Sequence, residues 1–377
     1  MSEADKSQAT NQAGIKRVVF VQKFVPHYRL PLFENLREQF AQQGIEFVLI
    51  YGPPDAYEGS KIRMEYPEWG HRVKSLIIPL PGKFTRYLYW QGSPFKVRRG
   101  DVVIVEHASK LLDNYLLFAL QQIGWISMCY FGHGKNFQSH REIGLARKLK
   151  QLMVRRVARW FAYTEISRQA LLEQEVPDER IVVVNNTLTV TRKLEESEVQ
   201  RHKSRFVYIG GLYDDKRLDL IFQSMQNLQA EHPELELVVA GTGPDQAMVE
   251  SFASKHDWCN YVGSVFGEDR DRLLLSASAM VVPGAVGLVA IDSFHYAIPI
   301  ITTRCDNHGP EVAYLENGDN ALILDSKGDV ESYTSLLRQF LESAELSEQL
   351  REGCRRSANR YTIQDTASKI VDGVLGL

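Results

Sequence analysis

Short apolar runs alternate with stretches of helical period along most of the chain. In the first half, Val18–Val21, Glu46–Ile50, Val102–Val105 and Ile126–Tyr130 read as buried strands. Helical spacing predicts helices over Pro31–Gln43 and Leu111–Gln122. Between Ser60 and Arg99 the pattern breaks, and aromatic residues gather there (Phe84, Tyr87, Tyr89, Trp90). A second series predicts strands at Phe206–Ile209, Leu235–Ala240, Met280–Val282, Ile300–Thr302 and Ala321–Leu324. Helices fit Leu218–Glu231, Asp245–Lys255, Asp269–Leu275, Gly287–Tyr296 and Val330–Leu341, and Leu346–Leu377 reads as one or two amphipathic helices. Strands alternating with helices indicate βα units around parallel sheets, an α/β class in two successive series.

The chain has 377 residues, which suits two domains of about 150 residues each. The polar stretch between Leu188 and Lys203, with Arg192, Lys193, Glu195, Glu196, Glu198 and Arg201, is the expected boundary. The expected layout is a disordered tail at 1–16, one domain at 17–190 and a second at 203–360. A closing helix at 361–377 is expected to cross back to the first domain. The net charge of −3 argues against a nucleic-acid partner, so any basic patch is local. The cysteines Cys129, Cys259, Cys305 and Cys354 form no C-x-x-C pair, which argues against a zinc site or a disulfide framework. Reduced thiols, no apolar leader and no run of about 18 apolar residues indicate a cytoplasmic protein.

Ligands of open α/β sheets bind beyond the carboxyl ends of the strands, so the candidate chemistry is sought there. Gly210-Gly211 end one strand, and Lys216 precedes the next helix. Glycines admit a ligand close to the backbone, and a lysine at a helix start can pair with a diphosphate. A plain turn with a surface lysine reads equally well. Gly241-Thr242-Gly243-Pro244 is a second glycine turn, better read as structural. Met280–Phe294 is the most informative stretch: a buried strand, a small-residue loop through Gly284, and a helix opening near Gly287. That helix start offers amides to an anion, and Asp292 follows where a carboxylate can accept from ribose hydroxyls.

In order and content these motifs resemble family 4 of the retaining glycosyltransferases, whose fold is GT-B: two Rossmann-like domains facing across a cleft. The resemblance covers most of the chain and is best from Phe206 to Asp325. The family's G-R-L-x3-K corresponds to Gly210–Lys216, its G-x-G-P to Gly241–Pro244, its E-G-F-G-L-V-x2-E-A to Gly284–Ser293, and its P-V-I-A-T strand to Pro299–Thr303. It implies that Lys216 holds the diphosphate of a nucleotide sugar and that Gly287 and Leu288 offer backbone amides. Asp292 would bind the ribose, and Val262 and Gly263 would lie against the base. This chain departs from the pattern at Gly211, where the family has arginine, and at Gly284, where it has the first glutamate of a pair.

In the first half, His133 stands between Gly132 and Gly134 after a predicted strand. The resemblance places such a histidine beside the donor sugar; a turn histidine bonded to backbone is the plainer alternative. Lys135 and Asn136 are weaker companions, and the role of Glu106-His107 is open. The loop with His27 and Arg29 would face the acceptor, although Arg29 can equally cap a loop. The stretch 145–161 carries Arg147, Lys148, Lys150, Arg155, Arg156 and Arg159 and no acid, with Leu145, Leu149, Leu152, Met153, Val157 and Trp160 at helical spacing. Such a helix can lie on an anionic membrane, or pack its apolar side into a core. The expected partners are a nucleotide-sugar donor and a glycan or lipid-linked glycan acceptor, with no metal or other cofactor. Transfer by front-face departure and attack, in cell-surface polysaccharide or lipopolysaccharide assembly at the inner face of the plasma membrane, is the expected activity. A nucleotide-sugar epimerase and an inactive sugar-nucleotide-binding partner are the alternatives.

Overall fold

The computed structural model describes residues 14–55, 59, 64–79, 87–134 and 145–377. The chain divides into two compact units: residues up to Thr189 together with Ile363–Leu377, and Val190–Thr362.

The first unit begins with β1 (Arg17–Gln22), α1 (Leu30–Gln42), β2 (Glu46–Tyr51) and the short β3 (His71–Arg72). An antiparallel ribbon follows, β4 (Leu76–Pro79) with β5 (Tyr87–Trp90), inside the stretch where the apolar pattern breaks. Then come β6 (Val102–Glu106), α2 (Asp113–Gln122), β7 (Ser127–Gly132), α3 (Leu145–Arg156), β8 (Arg159–Ala162), α4 (Glu165–Leu172) and β9 (Ile181–Val183). Seven strands form one sheet in the order β3-β2-β1-β6-β7-β8-β9, with every pair parallel. All six residues of β1 are buried, as expected of a strand covered on both faces. Helix α1 carries Pro31 in its first turn and buries Leu32, Phe33, Leu36 and Phe40 on one face. Ile15, just ahead of β1, is already buried in this core.

The second unit contains β10 (Arg205–Ile209), α5 (Leu218–Gln229), β11 (Glu236–Ala240), α6 (Gln246–Ala253), β12 (Cys259–Gly263) and α7 (Gly267–Ser276). It continues with β13 (Ala279–Val281), α8 (Val289–Tyr296), β14 (Ile300–Thr303), β15 (Ala321–Leu324), α9 (Val330–Glu342) and α10 (Ala344–Ala358). Its six parallel strands run β12-β11-β10-β13-β14-β15. The order reverses between β10 and β13, which opens a crevice at their carboxyl ends. The final helix, α11 (Ile363–Leu375), belongs to the first unit. It buries Ile363, Ala367, Ile370, Val371 and Val374 in that core, and Arg159 on β8 donates to the carbonyls of Gly373 (2.5 Å) and Gly376 (3.0 Å). A cation on the last carbonyls is the favourable end of the helix dipole.

The predicted strands and helices appear within a few residues of their expected bounds. The structure adds β3, β4, β5, β8, β9, β12 and helix α4, and it ends α3 at Arg156, so Trp160 is a buried strand residue and not part of an amphipathic helix. No helix among the described residues is long and apolar enough to cross a membrane.

Candidate functional site

In the second unit, backbone packing at the switch point explains the glycines. A side chain at Gly241 would place its Cβ 1.8 Å from the Gly210 carbonyl oxygen, and one at Gly243 would come within 2.2 Å of the Leu212 oxygen. The turn after β11 therefore lies directly against the chain leaving β10. Leu212 N–H donates to the Thr242 carbonyl (3.0 Å), and Asp245 N–H donates to that of Leu212 (3.1 Å). Gly241–Pro244 thus acts as packing. At Gly211 an added Cβ would strike the Tyr213 ring at 2.2 Å.

Lys216 ends the short turn Asp214–Lys216 before α5, and its Nζ donates to the Ala285 carbonyl at 2.5 Å. Ala285 N–H in turn donates to the Asp215 carbonyl at 3.0 Å. Gly284 sits against this segment so closely that a Cβ would lie 2.2 Å from Asp215 O and 2.6 Å from the Lys216 carbonyl carbon. The loops after β10 and β13 are therefore stitched together, which brings Lys216 against Gly284 and Ala285, with Gly287 and Leu288 following in the same loop. Gly287 is the open member: no atom lies within 4 Å of an added Cβ. Burial pulls the Lys216 ammonium below its ordinary pKa, with Asp215 opposing.

Asp292 lies on α8, buried, and is ion-paired with Arg270 on α7. Burial pushes its carboxyl up, and the Arg270 guanidinium holds it back. Arg270 also donates to the Tyr296 hydroxyl at 3.1 Å, and that hydroxyl bonds Asp271. The carboxylate expected to wait for a ribose is thus already engaged. Arg270 reads in the sequence as one more surface charge, and no local signal marks it. Val262 is exposed and Gly263 has φ 68° with open space beside it, both at the carboxyl end of β12. His308, which follows β14, likewise carries no local signal in the sequence; its Nδ1 accepts from Val286 N–H in the loop after β13.

In the first unit, His133 follows β7 in a tight turn. Gly132 has φ 154°, Gly134 has φ 72°, and a Cβ at Gly134 would strike Leu171 at 2.7 Å. The His133 ring meets Tyr163 edge-on at 4.5 Å. Arg29 is buried beside it: its Nη2 donates to the Tyr163 hydroxyl at 3.0 Å, and its guanidinium lies over Phe131 and Tyr163. Burial, and then Arg29, hold the His133 imidazole down at about 4, so the ring is neutral at neutral pH. His107, packed on Tyr130 and Trp160, is likewise held at about 4 by burial and by His133. Arg29 therefore points into the unit, and of the two expected acceptor contacts His27 is the exposed one. Lys135 and Asn136 lie outside the described residues. On α3, Met153 and Val154 are buried, whereas Leu149 and Leu152 are exposed among Arg147, Lys148, Arg155 and Arg156.

Residues 190–357 match the family model described as glycosyl transferases group 1. The chain is 22% identical over 181 residues to the sulfoquinovosyl transferase SQD2 of Arabidopsis thaliana, covering 47% of this chain and 34% of that protein. The match thus spans about a third of the length of that curated relative. Anabaena HepE in complex with UDP is similar in structure, with a TM-score of 0.69 at 11% identity over 96% of this chain and 100% of that one. The lipopolysaccharide outer core galactosyltransferase WaaB, in its apo form, has a TM-score of 0.67 at 12% identity, covering 96% and 99%. The fold is therefore that of the GT-B glycosyltransferases, two parallel-sheet α/β domains. The residues matched by the glycosyl transferases group 1 model, 190–357, lie within the second unit.

Proposed function

We propose that this chain is a retaining family 4 glycosyltransferase that moves a sugar from a nucleoside diphosphate donor to an acceptor hydroxyl. The carrying observation is the junction at the switch point of the second unit, where Lys216 meets the Gly284–Leu288 loop. The difficult step is departure of the sugar from a diphosphate that gains charge. Lys216 and the amides of Gly287 and Leu288 would stabilise that charge where it develops. At rest the ammonium is engaged with a neutral carbonyl, and a diphosphate offers it a stronger, charge-assisted partner. Neutral His133 would hydrogen-bond the donor sugar. Asp292, held by Arg270, would take the ribose, and Val262 and Gly263 would border the base.

UDP is the donor nucleotide favoured by the HepE complex. A role in lipopolysaccharide or other surface polysaccharide assembly is favoured by the likeness to WaaB. The exposed Leu149 and Leu152 among basic residues support a peripheral site on an anionic membrane, at its cytoplasmic face. Incubation with UDP-, GDP- and ADP-sugars, read by mass, tests the activity. Transfer to an acceptor supports it. An isomerised donor points to an epimerase, and binding without turnover points to an inactive partner. Lys216→Ala and His133→Ala should each lower turnover about 100-fold while the chain stays folded. Unchanged rates remove both residues from the site.

A further inference from the structure

We infer that His308 is a positioning residue, whose imidazole fixes the Ala285–Val286 peptide, from which the chain runs on to the Gly287 and Leu288 amides offered to the donor. The inference rests on the donor site proposed above and adds a residue to it. Val286 N–H donates to His308 Nδ1 at 3.1 Å, and the other ring nitrogen, Nε2, lies 2.7 Å from the Thr303 carbonyl oxygen. A carbonyl can only accept, so the proton is on Nε2 and the lone pair on Nδ1. One tautomer thus ties the loop after β13 to the end of β14. The other polar groups of this loop segment are also bound. Gly309 N–H donates to the Val286 carbonyl at 2.7 Å, Lys216 Nζ to that of Ala285 at 2.5 Å, and Ala285 N–H to that of Asp215 at 3.0 Å.

All four backbone groups of Ala285 and Val286 are therefore occupied. The chain enters Gly287, the residue with open space beside it, from a fixed peptide. A loop ordered before binding spares a ligand the entropy of ordering it. Burial holds the His308 ring below its ordinary pKa and nearby Lys216 adds to this, while the Thr303 carbonyl opposes both; the neutral form required by the geometry is thereby favoured.

The test uses the full-length chain with UDP, GDP and ADP as calorimetric probes. His308→Asn keeps an acceptor at the Nδ1 position, whereas His308→Gln reaches only towards Thr303 and His308→Leu offers neither bond. Asparagine should bind within about threefold of wild type, and glutamine and leucine should bind about tenfold more weakly, as expected for one lost buried hydrogen bond. Equal weakening by all three variants overturns the inference, because the acceptor at Nδ1 would then not matter. Undiminished binding by glutamine and leucine overturns it as well. If wild type binds none of the three nucleotides, the donor site itself fails and the inference falls with it.

Discussion

Gly284→Ala isolates the contact on which the donor site depends. Its single added carbon would lie 2.2 Å from Asp215 O, 2.6 Å from Lys216 C and 2.7 Å from Lys216 Cα. The nearest atoms are backbone, so no side-chain rotation relieves the overlap. The two loops must separate by roughly 1 Å to reach ordinary contact, and overpacking of this kind costs about 1–3 kcal/mol. Displacement also carries Lys216 and the Ala285 peptide away from each other, and a misplacement of that size can lower a reaction rate by about 100-fold. The expected result is a modest loss of stability in urea unfolding, together with a much larger loss of UDP binding and turnover. Gly284→Glu should behave no better, since the glutamate would begin with the same Cβ. Wild-type stability and activity in Gly284→Ala would refute the reasoning, because the second unit would then have room that the structure denies it.

Three further outcomes are expected. Arg270→Leu leaves the Asp292 carboxylate buried and unpaired, at about 3 kcal/mol in urea unfolding, and adding Asp292→Asn should recover most of it; no loss in the single variant rejects the pairing. His107 and His133 are held at about 4, against an ordinary value of 6.5, so the folded first unit favours neutral rings. The unfolded chain binds more protons below that ordinary value. Stability should therefore be level above about pH 7, fall between about pH 6.5 and 4, and level off below. Each ring contributes about 3 kcal/mol at most, and less because both are partly open to solvent. Amide exchange in β6 and β7 at pH 7 and 5 measures this, and a flat profile rejects it. Ending the chain at Thr362 removes α11 with Ile363, Ala367, Ile370 and Val374, each worth about 1–3 kcal/mol of burial. The first unit should then be digested by protease while Val190–Thr362 resists, and equal resistance of both would contradict the division.

Sequence alone determined the alternation of strands and helices. Runs such as Val18–Val21 and Val102–Val105 are short, rich in β-branched residues and apolar without interruption, the pattern of a strand covered on both faces. It also determined the order of the glycine turns and the place of Lys216, because these follow strands that are themselves legible. Short strands escaped it: β12 has Cys259 buried but Asn260 exposed, an edge pattern with little apolar signal, and β8 hid behind a helical spacing that runs through Trp160. Tertiary structure alone decided why position 284 is glycine, since the volume its side chain would fill belongs to backbone at Asp215 and Lys216. It also decided that Arg270 closes on Asp292, that Arg29 turns inward to Tyr163, and that His308 reaches back to Val286. Each of these is a contact between residues far apart in the chain, and local patterning carries no information about which distant group will fill a given space.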